Sequence, residues 1–495
     1  MAKRNLENTR AEVVKSDGFT GLTGRTFDVI VSNPPYIRRI EIETLARSSA
    51  FTENYMIERD TLRTNELGHL EIGGCDTVEL ADKFGTPLYV MDEAYIRSII
   101  KSYKEIFDRD YGDGLVCYAS KAFSTKAIYE ICKEEQIGAD VVSGCELATA
   151  LSAGLSPSVI YFHGNNKTPF ELEYAVKSGV HAIVIDSFYE IEVLDKICSN
   201  LGKKIKALVR VNPGIDAHTH HFIQTTRVDS KFGFSIADGA AIKAISVVLN
   251  CKNVEFVGIH CHIGSQIFEL KPFELAVEKM TDFIVRINSE LKTEVKELNL
   301  GGGYGVRYTD EDKPLKPQEY VGAIVEKLNE CVKTKKIFKP RLIIEPGRSI
   351  VGEAGITLYT VGAIKDIPGI KKYVSVDGGM FDNPRYALYE AKYEALLAAR
   401  MNDEKTETVT VAGKCCESGD MLVVDALLPP AKSGDLLAVL TTGAYNYSMA
   451  SNYNRNAIPP VVLTNEGKAA YIVKPQSYAD MMSRDELAPW LKKEN

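Results

Sequence analysis

Along the middle of the chain, apolar residues gather into short runs separated by stretches of helical period, and toward the end they cluster in strand-like groups punctuated by turns. The short runs predict buried strands at Leu115–Tyr118, Ala139–Val142, Val159–Phe162, Ala182–Ile185, Ala207–Val211, Phe256–His260, Leu298–Leu300 and Leu342–Ile344. Between them, Thr125–Glu135, Glu146–Ala153, Pro169–Ser178 and Lys271–Leu291 carry the helical pattern. Eight strands alternating with helices over about 230 residues is the count for an α/β protein built as a (β/α)8 TIM barrel. A doubly wound open sheet has no need of eight. Beyond Gly355, runs such as Thr408–Ala412, Met421–Val424 and Leu436–Leu440 predict a second, mostly β domain. Leu70–Ile72 and Pro87–Met91 flank a short helix at Thr77–Phe84, stopped by Gly85-Thr86-Pro87, and read as early strands of that same domain. The expected division is therefore residues 56–92 as an N-terminal segment of the β-domain, 93–354 as the barrel and 355–495 as the C-terminal β-domain.

Composition narrows the function classes. The chain has 495 residues, 45% apolar and 25% charged, with a net charge of −8. That balance is ordinary for a globular protein and offers no basic field for nucleic acid or an acidic membrane. The N-terminus lacks the apolar core of a signal peptide, and no apolar run approaches the ~18 residues of a membrane span, so a cytoplasmic protein is expected. Ten cysteines are scattered without a C-x-x-C pair, which argues against a zinc site or a redox disulfide.

Nearly every predicted barrel strand ends in residues with chemistry, and on this fold the carboxyl ends of the strands form the active face. Lys121, in Tyr118-Ala119-Ser120-Lys121-Ala122, points an amine into the mouth and could hold a carbonyl cofactor as a Schiff base. Ser143-Gly144-Cys145-Glu146 and His163-Gly164-Asn165-Asn166-Lys167 follow the second and third strands, and Arg210-Val211-Asn212-Pro213 the fifth. Gly301-Gly302-Gly303 can bring backbone N–H groups close to an anion such as a phosphate, with Ser265 and Arg348 adding donors. His260-x-His262 invites a zinc reading, but no third ligand at a supporting spacing accompanies it, and His218-x-His220-His221 sits in a polar loop. A flat imidazole stacked on an aromatic cofactor suits His262 better. Glu345 follows an apolar run, so it should be a buried carboxylate that needs a partner. Arg348 is one candidate partner and a pyridinium N–H another. Arg385 with Tyr386 and Tyr389 suits a carboxylate-bearing molecule.

Two resemblances follow from these stretches. Thr26–Val31 runs into Asn33-Pro34-Pro35-Tyr36, which is similar to the motif of methyltransferases that modify the glutamine of release factors. No glycine-rich turn for the methyl donor precedes it, so residues 1–55 are expected to be a methyltransferase-like fragment without function. From about Met56 onward the chain closely resembles the diaminopimelate decarboxylases, in the alanine racemase-like group of pyridoxal-phosphate enzymes. The resemblance rests, in order, on YASKA, DVVSGCEL, FHGNNK, HTHHF, SKFGF, HCHIGSQ, LNLGGGYG, EPGR, CCESGD and GAYNYSMASNYN.

That resemblance implies decarboxylation of meso-2,6-diaminopimelate to L-lysine and carbon dioxide, the last step of lysine biosynthesis. It implies that Lys121 carries pyridoxal 5'-phosphate, that His262 stacks on the ring and that Glu345 pairs with the ring nitrogen. Ser265, Gly302, Gly303, Gly347, Arg348 and Tyr445 belong to the cofactor region. Arg348, Arg385, Tyr389, Glu417 and Tyr445 hold the substrate, and Cys416 is the proton donor. Cys416 and Glu417 come from the partner of a head-to-tail homodimer, and no metal is implied. Rival readings have less support in the residues. A racemase needs a second base opposite Lys121, and a decarboxylase of ornithine or arginine needs an acidic pocket rather than Arg385. A non-catalytic carrier of the cofactor needs neither the last domain nor Cys415–Asp420, and a nitrogen methyltransferase rests on Asn33–Tyr36 alone.

Overall fold

Capping and burial, residue by residue, explain why the helical stretches stop and start where they do. The computed structural model describes residues 26–31, 36–41, 61–215 and 230–491. Pro169–Ser178 forms a helix because Thr168 and Glu171 close a reciprocal capping box, Pro169 sits in the first turn, and Gly179 ends it in the left-handed region. Ser143 and Ser187 cap the helices Gly144–Ser152 and Phe188–Leu201 in the same way, each accepting from the backbone N–H three residues on.

Eight strands form the barrel: β1 (Gly114–Ala119), β2 (Gly138–Val141), β3 (Ile160–Phe162), β4 (Ala182–Ile185), β5 (Ile205–Asn212), β6 (Val254–His260), β7 (Glu297–Asn299) and β8 (Arg341–Ile344). Each pairs in parallel with the next, and β8 pairs with β1, so the ring closes. The predicted barrel strands are all present, with ends shifted by a residue or two. Both faces are covered, which is why the runs read as continuous rather than alternating. Leu115, Cys117, Tyr161, Val184, Leu208 and Ile343 cluster with one another inside the ring. Their neighbours Val116, Tyr118, Ile160, Phe162, Ile183 and Val209 pack outward with the helices.

The barrel interior also holds a polar contact. Glu297 accepts from Tyr161 Oη at 2.9 Å and lies 2.8 Å from His181 Nε2. Burial pushes its carboxyl up, but these partners win and hold it below its ordinary value.

The second sheet system is organised by one long strand, Gly355–Ile367. It pairs antiparallel with Leu88–Asp92, Lys371–Val376 and Leu436–Val439. Leu88–Asp92 in turn lies parallel to Val461–Asn465, so a segment preceding the barrel and one near the end of the chain share a sheet. Val361, Val374, Val411, Leu422, Leu437 and Val439 form its core.

In the unit spanning residues 1–63, Thr26–Val31 and Tyr36–Glu41 pair antiparallel, with Phe27 opposite Ile40. Asn33, Pro34 and Pro35 of the methyltransferase-like motif lie outside the described residues, as do His218, His220 and His221. Among the described residues no helix is long and apolar enough to cross a membrane.

Gly258 of β6 packs tightly against β7: a Cβ there would sit 2.0 Å from the carbonyl oxygen of Glu297. Replacing Gly258 with Ala should force the two strands apart and destabilise the barrel by about 1–3 kcal/mol, measured as a lowered urea midpoint with an unchanged slope.

Candidate active site

The carboxyl ends of the barrel strands open into a cavity of about 840 Å³, within the range of a small-molecule site. Lys121, His262, Ser265, Gly302, Gly303, Glu345, Gly347, Arg348, Arg385, Tyr389 and Tyr445 all line it. Thus the residues expected from within one chain at both the cofactor and the substrate converge on one space. Cys416 and Glu417 do not line it and are exposed on the β-domain.

Lys121 sits on a single 3-10 turn, Ser120–Ala122, directly after β1. The turn is clamped from the β-domain side: Tyr445 N–H donates to the Ala122 carbonyl at 2.9 Å, and the Ser448 hydroxyl reaches the carbonyls of Lys121 and Ala122 at 3.0 Å each. The lysine is exposed, but into the cavity mouth.

Glu345 follows β8 and is 6% exposed. One carboxylate oxygen accepts from Asn299 Nδ2 at 2.7 Å and lies 2.8 Å from His163 Nε2; the other lies 3.2 Å from His260 Nε2. The His163 approach is a charge contact off the N–H axis, whereas the His260 one has hydrogen-bond geometry. Burial opposes charge on Glu345, but His163 and His260 overcome it and hold the carboxyl well below its ordinary value. Burial likewise opposes charge on His163. Asp140, at 3.9 Å, and Glu345 reverse this, and its pKa is raised. His260 goes the other way: burial brings it down to about 4, so its imidazole is neutral.

This network corrects one expectation. Arg348 is not the partner of Glu345, because the chain turns at Pro346-Gly347 and directs the arginine elsewhere. Its Nη1 donates to Tyr308 Oη at 2.5 Å and its Nη2 to Ser265 Oγ at 3.1 Å. The zinc reading of His260-x-His262 also changes. The three ligand-type atoms close to one another belong to His163, His260 and Glu345, all within 4.8 Å, and His262 is not among them. His262 instead faces the cavity, with its Nδ1 accepting from Gly302 N–H at 3.3 Å. Burial, then the charges of Lys121 and Arg210, hold its pKa well below the ordinary value, so the ring is neutral.

The glycines here are demanded by close approach. A Cβ on Gly302 would lie 2.2 Å from the Glu345 carbonyl, and one on Gly303, at φ +113°, would lie 2.5 Å from the Gly264 carbonyl. On the far wall, Arg385 Nη1 donates to Tyr393 Oη at 2.6 Å, and Tyr445 covers the Arg348 guanidinium at 4.6 Å. The loop bearing Cys416 is shaped by buried Asp420, whose carboxylate accepts from the N–H groups of Cys415 and Met380 at 2.6 Å each.

Sequence reasoning did not find Tyr308, Tyr393, Asn299 or the role of His163. Of these, His163 and Asn299 carried a usable signal, each at the end of a predicted barrel strand.

Comparison with known proteins gives the family. The family model for the pyridoxal-binding domain of pyridoxal-dependent decarboxylases matches residues 94–352. The chain is 51% identical to the diaminopimelate decarboxylase of Bacillus methanolicus, covering 84% of this chain and 96% of that one. Against the Bacillus subtilis enzyme it is 50% identical over 87% and 98%. Among solved structures it resembles the diaminopimelate decarboxylase of M. jannaschii in complex with L-lysine, with a TM-score of 0.83 and 37% identity over 88% of this chain and 100% of that one. A lysine/ornithine decarboxylase from Vibrio vulnificus, 20% identical with a TM-score of 0.66, shares the fold.

Because the carboxyl of Glu345 is depressed in the folded state, the stability it contributes is present above the unfolded value near 4.5 and is lost as pH falls through the folded value. As pH is lowered below about 4.5, cofactor-free protein should therefore lose more stability than a Glu345→Gln variant does. Thermal midpoints across that range measure the difference.

Proposed function

The chain belongs to the diaminopimelate decarboxylases, within the pyridoxal-dependent decarboxylase family, and on that premise we propose how its own residues convert meso-diaminopimelate to L-lysine and carbon dioxide. The observation that carries the reading is Glu345, a buried carboxylate kept anionic and aimed into a cavity that Lys121 and a neutral His262 also line. The residues fit pyridoxal 5'-phosphate. An anion matches a ring nitrogen that must keep its proton, a flat uncharged imidazole matches a ring face, and glycines that leave no room for a Cβ match a phosphate held by backbone N–H groups.

When bound, the cofactor supplies a conjugated ring able to withdraw the electron pair freed as the Cα–carboxylate bond breaks. The protein does the rest. Lys121 Nζ anchors the cofactor carbonyl. Glu345 holds the proton on the ring nitrogen, and His163 and His260 keep Glu345 charged. Ser265, Gly302, Gly303 and Gly347 hold the phosphate, assisted by Arg348 and Tyr445. Arg348, Arg385, Tyr389 and Tyr445 receive the substrate, the arginines selecting its distal carboxylate.

Cys416 and Glu417 complete the site from the partner of a homodimer: Glu417 grips the substrate and Cys416 delivers the proton to Cα. Their exposure on their own chain, away from its cavity, supports that arrangement. In domain terms, residues 93–354 provide the cofactor barrel, and 56–92 with 355–495 the β-domain.

Incubation of cofactor-loaded protein with meso-diaminopimelate should release carbon dioxide and lysine in equal amounts, followed by gas evolution and amino-acid analysis. Release of neither would refute the assignment. Lys121→Ala should abolish both turnover and the visible absorbance of the bound cofactor. Co-expression of Lys121→Ala and Cys416→Ala chains, each inactive alone, should restore about a quarter of wild-type activity through random pairing in a two-fold dimer. If the mixture stays inactive, Cys416 acts within its own chain or not at all.

A further inference from the structure

We propose that Tyr308 is a positioning residue that sets the spacing of Arg348 and Arg385, and so makes the site selective for an amino acid with a second carboxylate. The inference rests on the proposed function above.

Both guanidiniums are buried, at 9% and 8% exposure, and among the described residues neither pairs with a carboxylate. Two like charges in one pocket repel, and the carboxylates that line the same cavity, such as Glu345 and Asp312, form no ion pair with either of them. Tyr308 lies between them. Its oxygen accepts from Arg348 Nη1 at 2.5 Å, and its ring lies 4.8 Å from the Arg385 guanidinium. One side chain therefore holds one cation by its lone pair and the other by its π face. Tyr393 stands edge-on to that ring at 5.2 Å and accepts from Arg385 at 2.6 Å, so Tyr308 cannot swing away without disturbing Arg385. Burial pushes the Tyr308 phenol up, but Arg348 and then Arg385 outweigh it and draw its pKa below 10, as expected for a group shared by two cations.

This arrangement matches a distal carboxylate and disfavours a distal ammonium. A carboxylate entering between the guanidiniums gains two charge-assisted partners already at a fixed separation. A ligand that ends in an ammonium gains nothing from them. Without the Tyr308 oxygen, Arg348 keeps only Ser265 as a polar partner, since its buried Nε has none.

The test uses the holoenzyme and two variants. Tyr308→Phe keeps the ring and its packing on Tyr393 while deleting the oxygen. Tyr308→Leu removes both the acceptor and the π face while keeping an apolar side chain. In either variant, KM for meso-diaminopimelate should rise about tenfold, the scale of one charge-assisted hydrogen bond. Meanwhile kcat should stay within about twofold, and the inhibition constant of pentane-1,5-diamine, which has an amine at each end and no carboxylate, should not move. Thermal midpoint and cofactor absorbance identify the variants that fold and load, and the ratio of KM to the diamine constant is read on any that do. An unchanged ratio, or a parallel rise in both constants, overturns the inference. A wild-type protein that does not turn over meso-diaminopimelate would instead defeat the proposed function, so the two failures are distinguishable.

Discussion

A carboxylate in an apolar barrel mouth stays charged only if positive or donor groups surround it, and at Glu345 those groups come from three other strands. Asn299 ends β7, His260 ends β6, and His163 follows β3. The β6 and β7 contributions follow from simple register, since His260 lies opposite Asn299 in the parallel ladder. His163 is different, because β3 and β8 are not neighbours and meet only across the closed ring. The charge state of Glu345 thus depends on the barrel being shut. A local opening of β3 would remove His163, and with it one of the two imidazoles that offset burial.

The β-domain is as necessary to the site as the barrel. Tyr445 N–H and the Ser448 hydroxyl hold the backbone of the Lys121 turn, so the lysine is aimed by residues far along the chain. From Ser265 a continuous line of contacts runs through Arg348, Tyr308, Arg385 and Tyr393 to Asn446, crossing from barrel loops into the second domain. Four of these links are hydrogen bonds with little freedom to stretch, and the Tyr308–Arg385 link is a ring-face contact at 4.8 Å. A shift of one domain against the other would therefore alter the arginine geometry before it altered the hydrophobic cores.

The barrel was legible because strands buried on both faces leave continuous apolar runs, and because helix stops such as Gly179 are local signals. The residues lining the mouth were legible for a related reason: in a parallel barrel the chemistry is confined to strand ends, so Lys121, His262, Gly302 and Glu345 advertise themselves by position. Partnership was not legible. Glu345 and Arg348 stand three residues apart and looked like a pair, yet Pro346-Gly347 turns the chain between them and each finds partners distant in sequence. Tyr308 and Tyr393 belong to no motif, and their importance arises only when two loops meet.

The completed cavity has two electrostatic ends. Glu345, with its histidines, makes one end anionic and suited to a protonated ring nitrogen. Arg348 and Arg385, unpaired with any carboxylate among the described residues, make the other end cationic. Positive charge held without a counter-ion is costly in a buried place, and tyrosines are the mildest way to bear it, offering lone pairs and ring faces without a formal charge. A fixed carboxylate in their position would stabilise the empty site but would compete with the substrate for the same guanidiniums. By leaving that charge to be supplied by the ligand, the protein lets binding itself complete the electrostatics of the site.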